Sequence, residues 1–279
     1  MTKSTFAKFR KYSEYHIKNY AVDAGLVAGN ADFQKFIILG VSRSGSNLLR
    51  DLLNAHSQTI TFGELFRNDD SLAWDCPVND KFKSQSKKVV SLIQNDPIKL
   101  MENLVYGETA GHIKALGFKL FYYHAQGENL KPIWNYLRDN KDVKILHLKR
   151  TNYLKRYVSL VKAKDTNVWR DATGKKTKNV TVSIDYEDCL NAFEQVKSWE
   201  SEYATFFQDH ECIDVIYENL ASDSGPEMRR IQEFLNLAHE DVQPSIFRQS
   251  KRSLSETISN YSELKEKFSG TPWTVFFDE

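Results

Sequence analysis

The sequence predicts a three-layer α/β sandwich around a mostly parallel central sheet of about five strands. Three observations lead there. Short aliphatic runs of strand length alternate with longer segments of helical period along most of the chain. The most apolar run, residues 36–41 (FIILGV), is interrupted only by glycine, as in a strand buried on both faces of a parallel sheet. A loop of small residues then joins that run directly to a helix start.

The elements follow in order. Residues 5–22 read as a charged helix with aromatic side chains, lying against the body of the domain. After the 36–41 strand, residues 46–56 place Leu48, Leu49, Leu52 and Leu53 on one helical face. Residues 60–66 (ITFGELF) form a short second strand, and 70–108 a polar helical insertion over the site. Residues 115–123 (ALGFKLFYY) are the third strand, 133–139 a short helix and 143–148 (VKILHL) the fourth strand. A helix runs on through Lys164, and the polar stretch 165–183 is a loop. A long helical pattern over 186–208, a fifth strand at 213–217 and a helix at 227–235 complete the alternation. No repeat or linker divides the chain, so one domain spans residues 1–279.

Composition narrows the function. Of 279 residues, 41% are hydrophobic, enough for one substantial core. The 38 basic and 37 acidic residues nearly cancel, which argues against a duplex nucleic-acid partner. Cys76, Cys189 and Cys212 are widely spaced and form no CxxC pair, so neither a disulfide framework nor a zinc site is expected. The N-terminal residues lack an apolar signal core, and no stretch approaches the roughly 20 apolar residues of a membrane span. A cytoplasmic protein with no metal is the expectation.

The strongest motif is Gly40-Val41-Ser42-Arg43-Ser44-Gly45-Ser46-Asn47, between the buried strand and the helix. Small residues let backbone N–H groups converge on an anion, and the helix N-terminus adds partial positive charge. The two glycines have the Walker A spacing, but Ser46 stands where the Walker lysine belongs and the cation comes earlier, at Arg43.

The segment Ser42 to Asn47 resembles the 5′-phosphosulfate loop of sulfotransferases that use 3′-phosphoadenosine 5′-phosphosulfate (PAPS). Arg43 takes the Lys/Arg place, with Ser42 where that family commonly has proline. A second stretch, 145–159 (ILHLKRTNYLKRYVS), resembles the family's 3′-phosphate motif through Arg150 and Ser159. Its spacing is closer to the bacterial carbohydrate-type enzymes. Weaker likenesses follow at Tyr217 in YENL and at the basic loop with Lys251 and Arg252. The resemblance implies a P-loop-like fold and PAPS as co-substrate, released as 3′-phosphoadenosine 5′-phosphate (PAP), without metal. It assigns Ser42, Arg43, Ser44, Gly45, Ser46, Asn47, Arg150, Ser159, Tyr217, Lys251 and Arg252 to the nucleotide. The implied acceptor is a small molecule with a hydroxyl, a carbohydrate or glycolipid.

Two residues at strand ends are candidates for the base that takes the acceptor proton: Glu64 and His124. Glu64 is preferred, with His124 orienting the acceptor and Arg43 stabilising charge on the leaving oxygen. Trp74, Trp134, Trp169, Tyr122 and Tyr123 suit either sugar stacking or core packing. The remaining histidines are scattered, with no HExxH or other ligand cluster. Two rivals stay in view. A P-loop kinase or nucleotide hydrolase would need a lysine at Ser46 and magnesium. A non-catalytic glycan-binding module on the same fold would lack the loop cation or the base, and this chain has both.

Overall fold

The computed structural model describes residues 17–18, 20–22, 24–67, 75, 87–168, 180–245 and 252–278. Five strands, β1 (Gln34–Gly40), β2 (Thr59–Glu64), β3 (Ala115–Phe121), β4 (Val143–Lys149) and β5 (Cys212–Ile216), form one sheet in the order β2-β3-β1-β4-β5. Every pairing between them is parallel. The chain leaves β1 for the β2–β3 side and returns to the β4–β5 side. The crevice at the C-terminal end of β1 is therefore the switch point where α/β sheets hold ligands.

Side chains alternate across each strand, so each face of the sheet carries its own core. Ile37, Leu39, Phe118, Leu120 and Ile145 face one layer. It is built from α2 (Lys87–Asn95), α3 (Pro97–Leu100) with its π-turn Met101–Val105, α4 (Pro132–Asp139) and α6 (Tyr186–Phe206). Phe36, Ile38, Leu146, Leu148 and Val215 face the other. There α1 (Ser46–Ala55) contributes Leu49, Leu52 and Leu53, and α8 (Ser224–Phe234) contributes Met228 and Ile231. A third cluster joins α5 (Tyr153–Thr166) and α6 to the C-terminal helices α9 (Leu254–Thr257) and α10 (Tyr261–Lys267).

Two expectations change. The 70–108 segment is not wholly a polar insertion: Ile93, Leu100, Met101 and Val105 are buried in the core. Tyr217 does not close β5 but opens a short helix, α7 (Tyr217–Ser222). Within the expected 5–22 helix, the described residues, 17–18 and 20–22, are all helical. The rest of that segment, residues 70–74 and 76–86, most of the 165–183 loop, Trp74, Trp169 and Lys251 lie outside the described residues. No helix among the described residues is long and apolar enough to cross a membrane.

Candidate active site

The loop after β1 is built to stay open toward a ligand. The Ser44 hydroxyl donates to the Val41 carbonyl at 2.6 Å and is fully buried. That bond closes the loop on itself. Gly45 has φ +93°, and a Cβ there would run into the Tyr217 ring. Helix α5 is capped by Asn152, α6 by Asp185 and α8 by Asp223, but α1 has no side-chain cap and no acidic residue in its first turn. Its first N–H groups and positive end face the loop, a ready place for an anion.

The two motifs, more than 100 residues apart in sequence, meet on this loop. Arg43 Nε donates to Ser159 Oγ at 2.9 Å. Arg150 donates through Nη1 to the Arg43 carbonyl at 3.0 Å. Arg43 itself has φ +67°, a left-handed conformation uncommon outside glycine. The Arg150 guanidinium lies 4.7 Å over the Tyr217 ring, with Glu218 4.0 Å from its Nε. Burial first, and then Arg150, lower the pKa of Arg43. Two neighbouring cations withdrawn from water repel, a cost that an anion between them would offset.

On the far side of the loop a cavity of about 1010 Å³ opens. Ser42, Arg43, Ser46 and Asn47 line it from the loop, Glu64 and Arg67 from the end of β2, and Lys119, Phe121, Tyr123 and His124 from β3 and the turn after it. Helix α5 adds Arg156, Leu160 and Lys164, at four-residue spacing on one face. Helix α6 adds Ala192, Gln195, Val196 and Trp199 in the same way.

Glu64 reaches the cavity because β2 is irregular. Thr61 pairs with Gly117 and Glu64 with Lys119, so β2 uses one residue more than β3 over that interval. The extra residue turns Glu64 away from the face of Ile60 and Phe62 and onto the face of Lys119. Gly63 sits in this bulge with its N–H on the Asp75 carbonyl at 2.7 Å, and a Cβ there would collide with the Asp75 carboxylate. Lys119 Nζ donates to Glu64 Oε1 at 2.8 Å and to Asn47 Oδ1 at 2.9 Å. Arg67 holds Glu64 Oε2 at 3.1 Å, and His124 Nε2 stands 4.0 Å from the same oxygen. Burial pushes the Glu64 carboxyl up, but Lys119, then Arg67 and His124, outweigh it and hold the carboxyl below its usual 4.5.

His124 is 4% exposed, and its Nδ1 accepts the Phe121 N–H at 3.3 Å. In the neutral ring this bond places the proton on Nε2, facing Glu64. Tyr122 and Trp134 do not reach the cavity. The Tyr122 hydroxyl bonds His147 Nε2 at 2.6 Å inside the core, and Trp134 Nε1 donates to the His124 carbonyl at 3.0 Å. Both are packing residues, whereas Phe121, Tyr123 and Trp199 are aromatics at the cavity wall.

The structure thus gathers Ser42, Arg43, Ser46, Asn47, Glu64 and His124 around one cavity, with Arg150, Ser159 and Tyr217 against the loop from behind. Arg252 is not among the cavity residues: its guanidinium bonds the Glu256 carbonyl, and it lies near Lys162, whose pKa burial and then Arg252 lower. Sequence reasoning missed Lys119 and Arg156. Arg156 belongs to a helix that reads as solvated and basic, yet it is 3% exposed. Its Nη1 reaches toward the Ser42 carbonyl at 3.5 Å, and its Nε is buried with no hydrogen-bond partner among the described residues.

A parallel sheet with a small-residue loop at its switch point and a carboxylate across the cavity is an α/β sandwich with its candidate site where such sheets hold ligands. The Stf0 sulphotransferase family model matches residues 35–263, and the chain belongs to that family. Nodulation protein H of Rhizobium tropici is 24% identical over 250 residues, covering 88% of this chain and 93% of that relative. Nodulation protein H of Rhizobium meliloti (strain 1021) is 21% identical over 253 residues, covering 88% and 95%. A solved sulfotransferase from Alicyclobacillus acidocaldarius superimposes with a TM-score of 0.48 at 14% identity, over 87% of this chain and 93% of that one.

Proposed function

We propose that the chain transfers a sulfuryl group from PAPS to a hydroxyl of a carbohydrate or glycolipid acceptor, in line and with Glu64 as general base. The observation that carries the donor half is the meeting of Arg43 with Ser159 and of Arg150 with the Arg43 carbonyl. A donor with a phosphosulfate at one end and a 3′-phosphate elsewhere needs cations at two places, and these two arginines sit beside the uncapped start of α1. Arg43 and Arg150 with Ser159 would hold those anionic groups.

Glu64 would take the acceptor proton as the hydroxyl oxygen closes on sulfur. Its lowered pKa keeps it ionised. It needs no high basicity, because the hydroxyl grows acidic only as its bond to sulfur forms. His124 is less suited to the base: its Nδ1 is engaged by Phe121 and its Nε2 carries the proton. It would orient the acceptor instead. Arg43 would neutralise charge developing on the bridging oxygen. Tyr123 and Trp199 offer aromatic faces for a sugar ring.

The reading takes residues 1–279 as one domain of a cytoplasmic enzyme that needs no metal. A thermal shift with PAP against ADP tests it: a larger stabilisation by PAP is expected. Transfer of labelled sulfate from PAPS to a panel of sugars and glycolipids, persisting in EDTA, completes the test. Equal shifts with both nucleotides, or magnesium-dependent turnover of ATP, would move the chain to the kinase reading.

A further inference from the structure

Lys119 is 1% exposed, on an interior strand of the sheet. A buried ammonium is costly to keep unless it is fully used. This one joins two parts of the site. Through Nζ it binds Glu64 Oε1 at 2.8 Å, across the sheet from β2, and Asn47 Oδ1 at 2.9 Å, in the first turn of α1. Asn47 follows the loop directly, so a single ammonium spans from the loop that receives the donor to the carboxylate that receives the proton. The bulge in β2 places Glu64 opposite Lys119 in the sheet register, which makes the contact possible.

We propose that Lys119 is a positioning residue for the transfer, tying the Glu64 carboxylate to the phosphosulfate loop through Asn47 so that base and donor site keep one fixed spacing. This rests on the reading of Glu64 as the base. The tether acts in two ways. It fixes one carboxylate oxygen, so the other is presented to the acceptor in a single orientation, and its positive charge keeps the carboxylate ionised. The charged and titratable groups around the pair are Arg67 and His124 facing Glu64, and Arg50 of α1 and Asp75 facing Lys119. Arg67 and His124 remain when Lys119 is replaced, so the carboxylate loses one cation of its set and its pKa moves up, toward the ordinary glutamate value.

The test begins with the wild-type protein. If it neither binds PAP nor transfers sulfate, the sulfotransferase reading itself fails. If it does both, Lys119→Met and Lys119→Gln decide the tether. PAP affinity is expected to stay within about threefold, since the loop and Arg150 are intact. The kcat is expected to fall about 10- to 100-fold, the scale of a misplaced reacting group. The acid limb of kcat/KM against pH should move up by about 1 unit, the usual effect of one close opposite charge. Lys119→Arg should recover part of both, because a guanidinium can also bridge two acceptors. If the Lys119 variants do not fold, Asn47→Leu decides: it cuts the tether but leaves the charge, so kcat should fall with the acid limb unmoved. Wild-type kcat in a folded Lys119→Met or Asn47→Leu protein would reduce Lys119 to packing. A lower kcat in both Lys119→Met and Lys119→Gln with an unshifted acid limb would also reject action through Glu64.

Discussion

Arg150→Ala tests the donor site most directly, because the two parts of its effect can be read separately. Arg150 is held by a 3.0 Å bond to the Arg43 carbonyl and by stacking on Tyr217, and its side chain is only 11% exposed. If Arg150 holds the 3′-phosphate as proposed, truncation removes one charge-assisted contact, worth about 1.5–3 kcal/mol. It also removes a support for Arg43, whose left-handed backbone stores strain of about 1 kcal/mol. Together these predict a loss of about 2.5–4 kcal/mol in PAP binding, or about 70- to 900-fold in Kd. ADP carries no 3′-phosphate, so it should lose only the loop contribution, about fivefold. Calorimetric titration of both nucleotides measures the two numbers in one experiment. The variant should therefore lose most of its preference for PAP over ADP. An equal loss for both nucleotides would mean that Arg150 acts only through the loop. An unchanged PAP affinity would remove it from the site.

The remaining predictions concern the chemistry and the core. Arg43→Gly suits φ +67° better than alanine, and should cut kcat about 10²- to 10³-fold while PAP binding falls less; a wild-type kcat would place the leaving-group cation elsewhere. Glu64→Gln should keep PAP binding and lose about 10²- to 10⁴-fold in kcat, with His124→Asn raising KM more than it lowers kcat; the reverse pattern in steady-state kinetics would make His124 the base. Burial lowers the pKa of His147 from 6.5 to about 4, so it stays neutral in the fold where the unfolded chain would take a proton. Its contribution to stability is present above pH 6.5 and declines as pH falls toward 4, by up to about 3 kcal/mol. Urea melts of wild type and His147→Gln should converge as pH is lowered across that window; parallel curves would show that His147 does not titrate this way.

The strands and the loop were legible because their signals are local. An aliphatic run such as 36–41 is apolar on both sides for the same reason that it lies at the centre of a parallel sheet. The Gly-Ser loop carries its conformational needs in its own residues. The end of β5 was misplaced because no breaker precedes Tyr217, which enters α7 directly from the strand. Lys119 was invisible for a different reason. Its partners stand 55 and 72 residues away, and a lysine inside ALGFKLF reads as ordinary alternation. Arg156 sat among Lys149, Arg150, Lys155 and Lys162 and looked like solvated charge. A usable signal existed: Arg156, Leu160 and Lys164 recur every four residues, one stripe of the helix, and that stripe is the cavity wall.

The bulge before Glu64 makes the carboxylate's place a matter of counting rather than of residue type. Along a strand, side chains alternate between two faces, so the parity of a position decides which side of the sheet it serves. Ile60 and Phe62 face one core, and by parity Glu64 belongs with them. The extra residue reverses that assignment. Deleting one residue between 61 and 64 would leave every chemical group of the site in the chain, yet send the carboxylate toward the aromatic core under α4 and α6. No substitution nearby could bring it back, whereas a compensating one-residue change in the same strand could. In this chain, length variation within β2 is therefore a more severe lesion than most exchanges of its side chains.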